Sequence, residues 1–546
     1  MKKAIYILLA MCIAPMLWGA GAHFPQLVVV IVLDQVPYDY IVRFQPYFAE
    51  GGINYVLHHG ADFTDAEYPY AYTKTACGHA AVITGTSSHV NGIVGNAWYD
   101  RSRTKRVNCV DDEAEQIMGG HGTGRSPRAL LVNTVGDLVR MRTNSRSKVI
   151  GISNKDRSAI LMAGKLGTAY WIDDSIFVSS SYYMKALPPW VVEFNRSGMF
   201  RKYFGQVWKE LKPSAANAIC DKDDVPYEDN PDNMGRAFPH RITGTDTSRI
   251  TESYYDALDH SPFTTEILLK FVRLAFERES LAVRGAPDLL CIGISATDII
   301  GHSYGPNSHE VFDNMLRTDA LLADFFSFLD KKIGLGNCLI AVTADHGTAP
   351  IPEYTKSISP ELNTVRISSS EISSRANRML SNAFGVPTKS WIVQTVDANI
   401  YLRDETVKEK GIPVETVRQA LKDSLANDYP IDRAYTYDEL IAGNRKEDLY
   451  DRVRLSFYPP RSGDVMILVR PFCIIDGATT GTNHGMPYAY DTHVPLILCG
   501  PGVKHGVYDG RVSPIDIAPT IAAILGMEFS PQCEGKVLSE AISATK

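Results

Sequence analysis

The sequence predicts an α/β fold: a mostly parallel central sheet sandwiched by helices, with a small α/β subdomain inserted into it. Three observations point there. Apolar runs that read as buried strands recur at residues 27–33, 289–294 and 338–343. Helical patterns fill the intervals between such runs, the alternation expected of a βαβ architecture. Each of the three runs is followed within a few residues by an acid, Asp34, Asp298 and Asp345. In an open parallel sheet the carboxyl ends of the strands are where ligands collect.

Taken in chain order, Met1-Lys2-Lys3, an apolar stretch to Trp18 and then Gly19-Ala20-Gly21-Ala22 follow the charge, core and small-residue order of a secretory signal. Residues 1–22 are therefore expected to be a signal peptide. Cys12 lies inside the apolar stretch behind Met11, where a lipoprotein signal would need small residues, so no lipid anchor is expected. The core is assigned to residues 23–349 and 481–546. Thr73-Lys-Thr-Ala-Cys-Gly-His79 runs into Ala80-Ala-Val-Ile-Thr-Gly85, which puts Thr75 at or just before the first turn of a helix. Residues 158–262, rich in Tyr, Trp and Pro and poor in periodicity, are expected as a loop-rich elaboration over the mouth of the site. Their Trp171, Tyr182, Tyr183 and Trp190 either line an entrance or pack the insertion. From Val311 to Leu329 apolar residues recur every three or four positions, which predicts a helix. Residues 350–480 are expected to be the inserted subdomain, with strand candidates at 391–402 and 465–469 around a helix at 414–425. Residues 493–499 then read as a buried strand and 516–525 as a helix closed by Gly526, so the parallel core is expected to resume.

The composition, 546 residues with 45% hydrophobic and 21% charged, is that of a globular chain with one large domain or two. Loss of residues 1–22 removes Lys2 and Lys3 and takes the formal charge from −7 to −9. An acidic, exported chain is a poor partner for nucleic acid. No segment beyond the leader reaches the roughly 18 apolar residues needed to span a bilayer, so no stable membrane anchor is expected and the periplasm or the exterior is the expected location. Disulfides are allowed there. Cys291, Cys338 and Cys499 fall in strands, whereas Cys109, Cys220, Cys473 and Cys533 look loop-borne and available for pairing.

The chemistry lies in three acids and three histidines. Asp298 and His302, four residues apart, can reach one divalent ion, with His484 completing the set; Asp34, Asp345 and His346 form a second set of three. Zinc takes such ligands and a catalytic site leaves one position open, while cobalt and manganese accept the same donors. Each fragment alone is ordinary, since Asp-x-x-x-His is commonly an ion pair; the joint placement after three strands is what points to a two-metal site and ester hydrolysis. His493 is expected to orient a ligand from behind, and His79 to be a packed helix residue. Thr75 at a helix N-terminus has free backbone N–H groups beside it, which suit an alkoxide or a phosphoryl group; an N-cap is the ordinary reading of such a threonine, and Thr73 is a weaker candidate nucleophile.

The order Asp34, Thr75 in Thr-Ala-Cys-Gly-His, Asn96 in Gly-Ile-Val-Gly-Asn-Ala-Trp-Tyr, Lys155-Asp-Arg157, Asp298-x-x-x-His302, Asp345-His346 and His484-Gly resembles the alkaline phosphatase superfamily, and within it the PafA-type periplasmic alkaline phosphatases. The resemblance spans essentially the whole chain after the leader. It implies an alkaline phosphatase-like fold and two zinc ions, one held by Asp298, His302 and His484, the other by Asp34, Asp345 and His346 beside Thr75. It implies a phosphothreonine intermediate at Thr75, with Asn96, Lys155 and Arg157 binding the substrate. A phosphate monoester carries nearly two charges on its free oxygens and a diester one fewer; a Lys and an Arg close together meet the extra charge. Lys155-Asp156-Arg157 matches the monoesterase pattern that related diesterases lack, whereas the same tripeptide in isolation would read as a solvated turn.

The expected function is thus hydrolysis of diverse small-molecule phosphate monoesters with release of inorganic phosphate, by a chain working as a monomer. A phosphodiesterase or nucleotide pyrophosphatase on the same scaffold is the enzymatic alternative, and a non-catalytic metal- or phosphate-binding protein the alternative outside catalysis. Cys77, two residues after Thr75, is expected to be an inert packed thiol. The Cys-x-Pro-x-Arg context of sulfatases is absent, since the chain reads Cys77-Gly-His-Ala-Ala81.

Overall fold

A computed structural model describes residues 24–543; the predicted signal peptide lies outside them. The centre of the protein is a ten-stranded sheet. Its strands are β1 (Leu27–Leu33), β2 (Ala61–Phe63), β3 (Ile117–Met118), β4 (Val149–Ser153), β5 (Thr168–Asp173), β6 (Ile176–Ser180), β7 (Asp288–Ile294), β8 (Cys338–Thr343), β9 (Leu496–Cys499) and β10 (Gly506–Tyr508). They lie side by side in the order β10-β2-β9-β8-β1-β7-β4-β5-β6-β3. The middle five, β8 to β5, are mutually parallel.

The sequence of β1, Leu-Val-Val-Val-Ile-Val-Leu, is apolar without alternation because both its faces are covered. Leu27, Val29, Ile31 and Leu33 enter one core, beneath Phe312, Met315, Leu322 and Phe325. Val28, Val30 and Val32 enter the other, against Ile517, Ala518, Ile521 and Ala522. The helices that carry these layers and the site are α1 (Thr75–Thr84), α2 (Asp156–Ala163), α3 (Glu252–Asp259), α4 (Ala296–Tyr304), α5 (His309–Ile333) and α6 (Ile517–Ile524).

Several expectations are corrected. The strand at 493–499 is shorter, Leu496–Cys499, and runs antiparallel to both β8 and β2, so the sheet is mixed rather than resumed in parallel. Residues 158–262 do not begin as a loop-rich cover: β5 and β6 lie within them and extend the central sheet. Trp171 is buried in β5, and Trp190 packs against Tyr170 and Phe271. Tyr182 and Tyr183 turn their hydroxyls to the carbonyls of Lys165 and Gly164. All four are packing residues. The candidate strand 391–402 is a hairpin, Ile392–Val396 and Asn399–Leu402, turned at Asp397, whose φ is 50°.

That hairpin joins Val465–Val469 and Ile431–Thr436 in a separate four-stranded antiparallel sheet. Its core gathers Ile372, Leu380, Val417 and Leu421 from two helices and also takes in Ala71, Tyr72 and Met486. The segment leading into Thr75 is therefore clamped by the inserted sheet. All eight described cysteines are unpaired, and of the four that looked loop-borne Cys109 and Cys473 are buried.

Candidate metal centre

Parallel pairing decides where the ligands meet. Leu33 of β1 stands opposite Ile294 of β7, and Val32 opposite Thr343 of β8, so the three strands end flush. Asp34 and Asp345 follow at that edge. Asp298 lies in the first turn of α4, with His302 one turn later on the same helix face. His484 comes in from the segment that returns from the inserted sheet.

Two groups result. In one, Nε2 of His346 lies 3.3 Å from Oδ2 of Asp345 and 3.6 Å from Oδ1 of Asp34. In the other, Oδ1 of Asp298 lies 3.2 Å from Nε2 of His302 and 3.9 Å from Nε2 of His484. The rings of His346 and His484 stack with centroids 3.5 Å apart, so the groups adjoin. Within each group the candidate ligand atoms all lie within 4.8 Å of one another, and among the described residues no other set of three does so.

The hydrogen bonds show what these atoms lack. Nδ1 of His346 meets the Gly347 carbonyl at 2.9 Å, Nδ1 of His302 the Thr482 carbonyl at 2.8 Å, and Nδ1 of His484 the Thr73 carbonyl at 2.6 Å. A carbonyl only accepts, so each Nδ1 donates and each neutral ring presents the Nε2 lone pair to the carboxylates. Asp345 uses Oδ1 for the N–H groups of Gln35 and His346. Its Oδ2, Oδ1 of Asp34 and Nε2 of His346 are buried with no hydrogen-bond partner. Three buried, inward-facing ligand atoms without a hydrogen-bond partner call for a cation, and a set of imidazole nitrogens and carboxylate oxygens is what zinc takes. The residues therefore fit a divalent metal in each group.

The charges agree. Burial and the neighbouring Asp34 carboxylate push Asp345 well above the usual carboxylate range. Burial opposes ionisation of Asp34 and Asp298 as well, but the Lys155 ammonium holds both below it. Burial lowers His346 to about 4 and takes His484 well below its ordinary value. At the less buried His302 burial works the same way, but Asp298 raises the pKa.

Around the groups stand the residues singled out for substrate. Lys155 precedes α2, and its Nζ lies 2.7 Å from Oδ2 of Asp34 and 2.5 Å from Oδ2 of Asp298, spanning both groups. Thr75 is the first residue of α1 and is buried. The N–H of Ala76, next in line, donates to Oδ1 of Asn96 at 2.9 Å. The N-terminus of α1 is pinned between the two groups: His79 touches Asp345 at 3.4 Å, and Lys74 Nζ donates to the His484 carbonyl at 2.8 Å. Arg157 is not brought against either group. It leans on Asp156 at 3.7 Å and keeps a buried Nε without a partner.

Cys77 is a packed thiol, its Sγ 3.2 Å from the Ile93 carbonyl and its pKa pushed up to about 12 by burial. His493 bonds the Thr64 carbonyl at 2.9 Å and packs on Tyr38, so the expectation that it orients a ligand is corrected. Three contributors escaped sequence reasoning. Gln35 donates its backbone N–H to Asp345 and its amide to Asp298, from a left-handed φ of 62°. Lys74 is buried beside Thr75. Gly78 lets α1 approach Asp345, whose carbonyl oxygen would lie 2.2 Å from a Cβ placed there. Two glycines, Gly78 and Gly301, were the available signals: Gly301 leaves room for Gln35.

Residues 28–487 match the family described as Type I phosphodiesterase / nucleotide pyrophosphatase. Alkaline phosphatase PhoV of Synechococcus elongatus is 34% identical over 527 residues, covering 94% of this chain and 92% of that one. A protein of Myroides odoratus named calcium-transporting ATPase is 32% identical over 529 residues, covering 95% of each. The crystal structure of wild-type alkaline phosphatase PafA superposes with a TM-score of 0.88 at 31% identity, covering 95% of this chain and 99% of that one. A PafA variant solved with a threonine, an asparagine, a lysine and an arginine replaced gives the same values. With a family match over most of its length and full-length relatives at this identity, the chain belongs to the type I phosphodiesterase / nucleotide pyrophosphatase family of the alkaline phosphatase superfamily.

Proposed function

We propose that this protein is a two-zinc phosphate monoesterase, an alkaline phosphatase, that works through a phosphothreonine at Thr75. One observation carries the reading: the ammonium of Lys155 spans Asp34 and Asp298, the two metal groups, beside the N-terminus of α1. Asp298, His302 and His484 would hold one zinc, and Asp34, Asp345 and His346 the other with Thr75. When bound, the two ions supply positive charge for the entering and leaving oxygens and lower the pKa of a hydroxyl.

The chain's own groups do the rest. Thr75 attacks phosphorus in line, the P–O bond to the alcohol breaking as the Thr75 Oγ1–P bond forms, and water then cleaves the phosphothreonine to release inorganic phosphate; the N–H groups of the first turn of α1 face the charge that gathers there. Asn96, held by Ala76 N–H, keeps its amide NH2 for a phosphoryl oxygen. Lys155 exchanges carboxylate contacts for the extra charge of a monoester, and Arg157 adds a guanidinium with an unspent Nε–H. The PafA variant altered at a threonine, an asparagine, a lysine and an arginine supports this choice, since those are the four residue types proposed here. Export to the periplasm or exterior, behind residues 1–22, and action as a monomer on small-molecule esters complete the proposal. No described helix is long and apolar enough to cross a membrane.

The test is kcat/KM for an aryl phosphate monoester against the matching diester, on zinc-loaded protein. A large monoester preference is expected. A diester preference would overturn the substrate assignment in favour of a phosphodiesterase, and turnover of neither would leave a binding protein.

A further inference from the structure

Gln35 follows Asp34 at the end of β1 and is 1% exposed. Its hydrogen bonds reach both metal groups. The backbone N–H donates to Oδ1 of Asp345 at 3.1 Å, and the side-chain Nε2 donates to Oδ1 of Asp298 at 3.0 Å. These acids belong to different groups, so one residue holds a candidate ligand of each. Lys155 meets the other oxygen of Asp298, Oδ2. The oxygen that Gln35 holds is the one that faces His302, at 3.2 Å, and His484, at 3.9 Å. A carboxylate oxygen has two lone pairs, so Oδ1 can accept from Gln35 and still serve a metal.

Three features separate Gln35 from a residue that merely fills space. Its backbone is left-handed, with φ 62°, a conformation uncommon for a residue with a Cβ and one that clusters at functional sites. Gly301, in the interior of α4 between Asp298 and His302, makes room for it: a Cβ there would meet Oε1 of Gln35. Glycine weakens a helix interior, so that clearance comes at a cost to α4. Finally, Oε1 is buried without a hydrogen-bond partner. An orphaned acceptor is unfavourable, and a methionine would fill the same length without one. What glutamine offers in its place is the amide N–H donor. The Asp298 carboxylate orients that amide, since it would repel the oxygen.

Groups that hold a ligating carboxylate in place tune the metal that it binds. Resting on the two-metal reading above, we infer that Gln35 is a positioning residue for both metal groups, with its work divided between side chain and backbone. The side-chain amide sets Asp298 toward His302 and His484, and the backbone N–H sets Asp345 toward Asp34 and His346. The division has a consequence that a general packing role lacks. Loss of the side chain takes the donor away from Asp298 and leaves the N–H at Asp345 in place, so only one of the two ions should be affected. Lys155 is the donor that a phosphoryl group draws away from Asp298, and Gln35 is the one that stays.

The experiment titrates zinc onto the full chain in competition with a chelating indicator and reads two dissociation constants. Gln35→Met keeps the length of the side chain and removes the donor. One of the two zinc ions should then bind about ten- to hundredfold more weakly than in the parent, with the other unchanged. Gln35→Gly, which adopts a left-handed backbone without strain, should show the same single loss, so a methionine variant that folds poorly does not decide the outcome. His302→Ala identifies the ion by removing a ligand from the Asp298 group. Adding Gln35→Met to it should leave the tighter, remaining zinc bound as before. Parental affinities in both Gln35 variants, a matching fall at both ions, or a further loss of the remaining zinc in the double variant overturns the positioning role and leaves the two-zinc phosphatase standing. A parent that binds fewer than two zinc ions overturns both.

Discussion

Nζ of Lys155 lies 2.7 Å from Oδ2 of Asp34, the carboxylate that closes the central strand. The same ammonium reaches Asp298 on α4 at 2.5 Å, so one cation ties together two buried acids that belong to different metal groups. Burial works against the charge on Lys155, and the carboxylates of Asp298 and Asp34 more than offset it, so its pKa is raised. The arrangement gives Lys155 a second capacity: a phosphoryl group that brings its own negative charge can take the ammonium over.

Replacing Lys155 and Arg157 with alanine should therefore cost a monoester far more than a diester. A charge-assisted hydrogen bond contributes about 1.5–3 kcal/mol, so the double variant should lose roughly two to four orders of magnitude in monoester kcat/KM. Diester turnover should fall by much less. Steady-state kinetics on matched aryl esters decide it, and equal losses on both would remove these residues from specificity.

Thr75→Ala should abolish the phosphoenzyme while the protein still binds two zinc ions per chain, because the alanine removes the nucleophile and leaves the six proposed carboxylate and imidazole ligands. Thr75→Ser should keep a trappable intermediate. Acid quenching with labelled substrate and metal analysis read the two properties separately. Undiminished turnover by zinc-loaded Thr75→Ala would take the nucleophile's role away from it.

Gly78→Ala tests the packing of α1 on the metal centre. The new Cβ would sit 2.2 Å from the carbonyl oxygen of Asp345 and 2.6 Å from its Cα, both backbone atoms that cannot swing aside. Overpacking of this kind costs about 1–3 kcal/mol, and the relief must come from moving Asp345. Lower thermal stability together with loss of about one zinc per chain is expected. A stable variant with full metal content would show that the helix can shift without disturbing its neighbour.

Much of this site could be read before any coordinates, for a physical reason. β1, β7 and β8 are apolar on both faces, and that pattern both marks a parallel strand and fixes which end holds the ligands. Asp34 and Asp345 were legible on that ground alone. Gln35 was not, because its left-handed backbone leaves no trace in composition. Asp298 was grouped with His302 and His484, which the structure brings within 4.8 Å of it, yet its place in a helix was not foreseen, since four-residue spacing suits a helix turn as well as a loop. β9 looked like one more parallel strand because a short buried run carries no sign of its direction. The aromatics of 158–262 left two readings open for a related reason: Trp171 has the same composition signal in a sheet core, where it lies, as at a pocket mouth.

Glu228 offers a pH test away from the metals. It is 2% exposed, its Oε2 has no partner, and burial with the carboxylates of Glu310, Asp223 and Asp221 lifts its pKa from 4.5 to about 10. Between those values the folded state holds a proton that the unfolded chain has released, so unfolding releases that proton and stability falls as pH rises. The contribution is complete below about pH 4.5 and gone above about pH 10. Glu228→Gln keeps the shape and stays neutral throughout, which should remove that slope. The variant should melt higher than the parent by a margin that widens by at least about 2 °C between roughly pH 5 and pH 9. Thermal unfolding at the two pH values measures it. A constant margin would mean that Glu228 is already ionised and neutralised by a bound cation among Glu310 and Asp223.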